Sequence, residues 1–191
     1  MSNNNQVLHP RYANILKKSS ELAFPMLSDT HTGSLLRTLV RSKANGDILE
    51  IGTGTGLGLS WIVDGMDEQS TVISIDNDKR YQAIARAFFE AESRVEFVCE
   101  DGNEWIQANR DRKFDLIFAD AWPGKYCLLA TTLAMLKKGG LYLIDDMLPQ
   151  PNWPDGHSEN VRKLMKELEL RQDITLTKMD WSTGLVLIAK K

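Results

Sequence analysis

The sequence lacks the features that mark membrane-spanning, secreted and cysteine-ligated metal proteins. Its two cysteines, Cys99 and Cys127, have neither metal nor redox spacing, so we expect them to be small core residues in a reducing compartment. No apolar run reaches the length of a membrane span, and the polar residues 1–6 do not resemble a signal peptide. We therefore expect a cytoplasmic protein with no membrane partner.

The sequence also lacks a basic surface. Its 23 Lys and Arg residues are outnumbered by 26 Asp and Glu residues, the net charge is −3, and no block of basic residues is present. A nucleic-acid partner is not expected, because phosphate binding usually needs a basic patch. The 191 residues, 42% hydrophobic and 26% charged, suit one globular domain over the whole chain.

Residues 47–58 carry the clearest functional signal in the sequence. Ile48, Leu49 and Ile51 form a short apolar run that is typical of a strand buried on both faces. Glycines follow at positions 52, 54, 56 and 58, and apolar residues at helical spacing resume from Leu59. A strand, a glycine-rich turn and a helix predict the start of a nucleotide-binding βαβ unit, because such a turn needs unusual backbone angles and lets a ligand approach the main chain.

The glycine spacing distinguishes two kinds of nucleotide site. The dinucleotide fingerprint G-x-G-x-x-G fails, because its third position falls on Leu57 or Leu59. The order present is an acid followed by alternate glycines, which resembles motif I of the class I methyltransferases that use S-adenosylmethionine (SAM). Their ligand has no pyrophosphate and carries a cationic sulfonium and amino group. The resemblance implies that SAM is held by four residues of this stretch: Glu50, Gly52, Gly54 and Gly56.

Apolar runs and helical patterns alternate along the rest of the chain. The predicted strands are residues 48–51, 71–76, 95–99, 113–120, 141–146, 174–178 and 184–189. The alternation predicts an α/β fold, doubly wound, with a mostly parallel seven-stranded sheet and an antiparallel C-terminal strand. Extra helices in residues 1–46 are expected to precede this core, which takes up residues 47–191.

Local signals place the element boundaries. Residues 28–33 predict a loop, with a helix from Leu35 to Asn45. A helix from Leu128 is predicted to end in a glycine cap at residues 137–140, before the fifth strand starts at Leu141. Residues 148–157 predict a loop that is either a lid, with Trp153 as a flat wall, or a stiff connector.

Carboxylates end several of the predicted strands. They are Asp76, Asp101, Asp120, Asp145 and Asp146. The carboxyl ends of parallel strands meet at one edge of a sheet, where α/β folds bind ligands. Asp76, which lies 20 residues after Gly56, is expected to accept hydrogen bonds from the ribose hydroxyls. Asp78 is the alternative for that role, or it caps the following helix.

The methyltransferase resemblance assigns a role to the end of the third strand. It implies that Asp101 accepts from the adenine amine and that the amide of Gly102 meets the ring. The alternative is that Asp101 caps the helix that follows it. Trp105 either flanks the adenine or packs in the core.

From residue 33 onward the order and spacing resemble the catechol and caffeoyl-CoA O-methyltransferase family. That family has Asp, then Trp two positions later and Tyr six positions later, which matches Asp120, Trp122 and Tyr126. The resemblance implies that Asp120 contacts the cofactor and that a magnesium or calcium ion is held by three acids: Asp120, Asp145 and Asp146. Such an ion takes oxygen ligands and lowers the pKa of a bound catechol hydroxyl.

Two positions depart from that family. The general-base Lys of the family falls on Pro123, and the nearest lysine is Lys125, so we take Asp120 and Lys125 as the candidate catalytic residues. Gly58 stands where catechol-type enzymes often have a Ser.

We therefore expect a SAM-dependent O-methyltransferase with divalent-metal assistance on a small catechol-like acceptor. The alternatives are a metal-independent methyltransferase, with Asp120 acting alone near the methyl group, and an inactive SAM-binding protein. The family commonly dimerises, so a homodimer through the N-terminal helices is a further expectation.

Overall fold

The computed structural model describes residues 9–26, 28–151 and 153–191. The polar start at residues 1–6 lies outside these residues. The described helices are α1 (Pro10–Glu21), α2 (Thr30–Arg41), α3 (Leu57–Gly65), α4 (Lys79–Phe88), α5 (Gly102–Ala108), α6 (Leu129–Ala134) and α7 (His157–Leu170). The strands are β1 (Asp47–Ile51), β2 (Thr71–Asp76), β3 (Val95–Cys99), β4 (Phe114–Ala119), β5 (Leu136–Ile144), β6 (Ile174–Met179) and β7 (Leu185–Lys190).

The strands form a seven-stranded sheet in the order β3-β2-β1-β4-β5-β7-β6. The first five strands pair in parallel, whereas β7 is antiparallel to both β5 and β6. The predicted α/β fold with a mostly parallel sheet and an antiparallel C-terminal strand is confirmed. The strand order reverses between β1 and β4, because the chain first builds outward from β1 through β2 to β3 and then returns to start β4 on the other side.

Each face of the sheet carries its own hydrophobic core, because side chains alternate along a buried strand. In β1, Ile48 packs with α1, α2 and α3, whereas Leu49 and Ile51 pack with α5, α6 and α7. This arrangement is the predicted doubly wound one, with α1 and α2 added on the face that carries α3. Among the described residues no helix is long and apolar enough to cross a membrane.

Three local predictions are wrong. Helix α2 starts at Thr30, inside the predicted loop, because the Asp29 carboxylate accepts from the amides of His31 and Thr32 and so starts the helix early. The predicted glycine cap after α6 belongs to β5: Leu136 already pairs with Phe114, and an irregular segment follows before Leu141 pairs with Leu116.

The third wrong prediction concerns the cysteines. Both Cys99 and Cys127 are exposed free thiols rather than core residues. Cys99 ends β3, which is an edge strand of the sheet, and Cys127 lies in the loop after β4.

Candidate functional site

A cavity of about 340 Å³ lies where the strand order reverses. Parallel α/β sheets bind ligands at such a point, outside the carboxyl ends of the strands. Its wall comes from residues at and after the ends of β1 to β5 and from the segment between α1 and α2. The predicted site residues on this wall are Gly52, Gly54, Asp76, Gly102, Asp120, Lys125 and Asp146.

The glycine loop is shaped by left-handed backbone. Gly52, Gly54 and Gly56 have φ values of 105°, 51° and 95°, which side-chain-bearing residues rarely adopt. Gly52 and Gly54 line the cavity. A Cβ on Gly52 would lie 3.0 Å from the carbonyl oxygen of Asp120, so the absence of a side chain lets β1 and β4 close the cavity floor.

Gly56 does not line the cavity. A Cβ there would lie 2.9 Å from the Cβ of Ala85, so its role is close packing of the loop against α4. The prediction that Gly56 contacts the cofactor receives no support from this position.

Glu50 lies beneath the glycine loop and not on the cavity wall. Strand alternation turns its fully buried side chain toward Gly58 of α3, and Ser74 Oγ on the neighbouring strand β2 donates to Oε2 at 2.5 Å. Its Oε1 has no hydrogen-bond partner among the described residues. Burial raises the pKa of Glu50 well above its usual range, and the carboxylates of Asp120 and Asp76 add to this increase. The structure therefore places Glu50 behind the site instead of at the predicted cofactor contact.

Asp76 lies on the wall with its carboxylate already anchored. Its Oδ2 accepts from the amide of Gly54 at 2.7 Å, and its Oδ1 accepts from the amide of Asp78 at 2.8 Å. A carboxylate has about four acceptor positions, so both oxygens retain capacity for a ligand. Asp78 accepts from the amides of Arg80 and Tyr81 and so caps α4, which is the second of the two roles predicted for it.

After β3, the adjacent residues Asp101 and Gly102 have different positions relative to the cavity. Asp101 is exposed, accepts from the amides of Asn103 and Glu104, and caps α5. It does not line the cavity, whereas Gly102 does. Trp105 is buried in the core among α5 and α6 residues and does not flank the cavity.

Lys125 reaches the cavity through a tight turn after β4. The amide of Lys125 donates to the carbonyl of Trp122 at 3.1 Å, and Gly124, inside this turn, has a φ of 80°. The side chain of Lys125 is only 3% exposed, and its Nζ donates to the backbone carbonyl of Asp145 at 2.6 Å. Sequence spacing alone did not predict that this lysine would enter the site.

The three acids predicted as metal ligands each have other partners. Asp145 is 3% exposed, and its Oδ1 accepts from the Asp146 amide at 2.7 Å and from Thr183 Oγ1 at 2.5 Å. Asp146 Oδ1 accepts from Trp153 Nε1 at 2.7 Å. Asp120 Oδ2 accepts from Ser28 Oγ at 3.3 Å.

These acids do not form the predicted metal site. Within the described parts of the chain, no group of three or more His, Cys, Asp or Glu side chains could hold a metal ion. Asp120 and Asp146 line the cavity, but Asp145 does not. The residues present therefore do not fit a bound divalent cation in the arrangement that the resemblance implied.

The electrostatics of the cavity follow from burial. Burial raises the pKa of Asp120 well above its usual range, and the nearby Asp145 carboxylate raises it further. Burial lowers the pKa of Lys125, while the carboxylates of Asp120, Asp146 and Asp145 oppose that effect. Burial also raises the pKa of Asp145, although its hydrogen bonds from Thr183 and the Asp146 amide oppose the increase.

Several site residues were not identified from the sequence. Phe24, Met26 and Ser28 line the cavity from the segment between α1 and α2. The break in the helical pattern before Pro25 was the available signal that this segment leaves the helix. His157 was also not identified; it lies behind the cavity wall, 3% exposed, with its Nε2 3.0 Å from the Tyr126 hydroxyl.

The loop before α7 is held by its tryptophan. Trp153 donates to Asp146, and its ring stacks 4.2 Å from the ring of His157. Trp153 does not line the cavity. Trp153 therefore contacts Asp146 and His157 instead of the cavity, and the choice between a lid and a stiff connector stays a prediction.

Comparisons with known proteins identify the family and the fold of this chain. A family model described as O-methyltransferase matches residues 3–191. A curated relative from Mycobacterium sp. (strain JLS), named as an O-methyltransferase, is 30% identical over 117 residues; the match covers 59% of this chain and 53% of that protein. The match therefore spans about half the length of this relative.

Solved structures share the fold. An O-methyltransferase from Bacillus cereus in complex with SAH has a TM-score of 0.87 at 18% identity, over 98% of this chain and 94% of that one. TomG from Streptomyces achromogenes, an O-methyltransferase involved in tomaymycin synthesis and solved with SAM, has a TM-score of 0.83 at 20% identity, over 96% of this chain and 91% of that one. The family model covers nearly the whole sequence, and the chain therefore belongs to the O-methyltransferase family.

Proposed function

We propose that this protein transfers the methyl group of SAM to a hydroxyl oxygen of a small molecule. The observation that carries the proposal is one cavity, at the reversal of strand order, that combines the glycine loop with Asp76 and Asp120. Family membership supports the reaction class. The complexes of the two structural neighbours with SAH and SAM support the cofactor.

The residues on the wall suit SAM. Gly52 and Gly54 leave main chain uncovered for a ligand, and Asp76 keeps acceptor capacity for the ribose hydroxyls. We assign the adenine end to Gly102, which lies on the wall. Asp101 could join it only by accepting from the adenine amine in addition to capping α5. Glu50 lies behind the glycine loop, where its carboxylate interacts electrostatically with the carboxylates of Asp120 and Asp76.

The chemistry is a direct displacement. SAM supplies an electrophilic methyl group on its sulfonium: the acceptor oxygen forms the new C–O bond, the C–S bond breaks, and its electron pair stays on sulfur. The hydroxyl proton passes to Asp120, whose pKa is raised by burial and by Asp145 and so lies closer to that of a useful base. The cavity walls hold the two reactants in line, which is the main contribution that a protein makes to such a step.

A metal-assisted reaction on a catechol-like acceptor is the second candidate. The sequence motif of Asp120, Trp122 and Tyr126 favours it, and Trp122 lies on the cavity wall beside Asp120. The engagement of Asp145 and Asp146 with Thr183 and Trp153 argues against it.

The reaction is tested with SAM labelled in its methyl group and a panel of phenols, catechols and aliphatic alcohols. We expect labelled product with at least one hydroxyl acceptor, and a loss of about 100-fold or more in kcat for Asp120→Asn, because general-base catalysis contributes on the order of 10²–10⁴. Asp115→Asn, on the strand β4 that leads to Asp120 but outside the cavity wall, is the matched control. Tight SAH binding without transfer to any acceptor would instead indicate an inactive SAM-binding protein.

A further inference from the structure

We propose that the ammonium group of Lys125 occupies the functional place of the divalent cation, so that methyl transfer in this protein needs no metal. The inference rests on the proposed function and concerns the same cavity. It starts from a mismatch: the three acids expected to ligate a metal do not form a metal-binding group among the described residues, while a buried lysine lies beside them.

The position of Lys125 is the first argument. Its Nζ is held by the carbonyl of Asp145, and its side chain shares the cavity wall with Asp120 and Asp146. An ammonium group that is almost fully buried is costly unless opposite charges and hydrogen bonds compensate for it. Here the carboxylates of Asp120, Asp145 and Asp146 all act on Lys125. Lys125 therefore offsets one of the negative charges that these three acids carry when they are ionised.

The ligand oxygens supply the second argument. The indole N–H of Trp153 occupies Asp146 Oδ1, and the Thr183 hydroxyl and the Asp146 amide occupy Asp145 Oδ1. Asp146 is also fixed by its backbone, which is left-handed at φ 62°. A divalent cation needs several carboxylate oxygens that converge on one point. These contacts engage one oxygen of each acid without a metal.

Charge repulsion is the third argument. A divalent cation placed among these acids would lie close to the buried ammonium, and like charges in a poorly hydrated site repel strongly. The lysine and the metal are therefore competing occupants. With Lys125 in place, the positive charge beside the acceptor oxygen comes from the chain itself.

Calorimetric titration of Mg²⁺ and Mn²⁺ into protein saturated with SAH tests this inference. The native protein should bind no cation in the cavity. Lys125→Met should gain one cation site, at least ten times tighter than any binding by the native protein, and Asp146→Asn in that background should abolish it. Lys125→Arg keeps the charge and should gain none. A cation bound by the native protein and lost in Asp145→Ala, or no gain in Lys125→Met, would overturn the inference.

Two controls separate the possible failures. Lys137 also lies between two carboxylates, at 2.8 Å from Asp47 and 2.7 Å from Asp115, but away from the cavity, so Lys137→Met should create no cation site. If Lys125→Met unfolds, Mn²⁺ should restore its folded state and raise its Tm; no rescue would contradict the inference. SAH binding by the native protein is measured first, so that failure of the proposed function is recognised independently.

Discussion

Individual residues in this protein take their roles from the strand ends on which they stand. Asp76 ends β2 and Asp120 follows β4, and both lie on the cavity wall, whereas Asp101 follows β3, on the sheet edge, and caps a helix. The sequence predicts that acids gather at this edge of the sheet. It does not predict which of them face the cavity, because that depends on strand order and on contacts made by residues far away in the chain.

Asp76 is expected to contribute most of the ribose recognition. Replacing it with Ala should weaken SAH binding by about 10- to 100-fold, because hydrogen bonds to a charged group are worth about 1.5–3 kcal/mol. Calorimetry measures the change, with Asp78→Ala as the matched control, since Asp78 caps α4 outside the cavity. Equal affinities for native protein and Asp76→Ala would show that the ribose assignment is wrong.

At the scale of elements, local patterns predict most helices and strands but not their exact ends. The alternation of apolar runs is a local signal, so β1, β2 and β3 are predicted within a residue or two. The start of β5 is not predicted, because Gly139 and Gly140 resemble a helix cap in the sequence. Only the pairing of Leu136 with Phe114 in the folded sheet shows that β5 has already begun. Lys125 is a candidate catalytic residue from the sequence, but its spacing does not show how it enters the cavity, because that turn depends on tertiary contacts such as the Tyr142 hydroxyl donating to the Gly124 carbonyl.

Helix α2 depends on one carboxylate. Asp29 accepts from the amides of His31 and Thr32 and from the hydroxyl of Ser182, which lies between β6 and β7. Burial alone would raise the pKa of Asp29, but these hydrogen bonds outweigh it and the pKa is lowered. Asp29→Ala should reduce the free energy of unfolding by about 1 kcal/mol at pH 7.

This contribution should depend on pH. A lowered folded pKa means that the stabilisation is present above the unfolded value of about 3.9 and is lost as the pH falls through the folded pKa. Urea denaturation of native protein and Asp29→Asn should therefore differ at pH 7 and converge toward pH 3. Asp111→Ala, at an exposed turn, is the control. A gap that stays constant over this range would exclude titration of Asp29 as its source.

At the scale of the whole molecule, the sheet with helices on both faces places the candidate cavity at the point where strand order reverses. The fold class was predictable because strand and helix patterns alternate; the strand order was not, because nothing local specifies which strands become neighbours. The single-domain organisation, the homodimer, the cytoplasmic location and the absence of nucleic-acid and membrane partners stay predictions. They concern behaviour in solution or in the cell.

Ligand binding should stabilise the entire fold. SAH at 100 times its Kd should add about 2.7 kcal/mol to the free energy of unfolding, which for a protein of this size raises Tm by about 5–10 °C. NAD should cause no shift, because the glycine spacing does not match the dinucleotide fingerprint. Differential scanning fluorimetry measures both ligands. A larger shift with NAD than with SAH would reverse the choice of cofactor class.

The two exposed thiols allow a distance within this protein to be measured without mutagenesis. Cys99 ends the strand whose register places it beside Asp76, and Cys127 lies in the loop that carries Lys125. Nitroxide spin labels attached to these native cysteines would bracket the cavity without any engineered substitution. Pulsed electron resonance would then report the distance between the end of β3 and the loop after β4, and its change when SAH or an acceptor is added would measure how these two segments move on ligand binding.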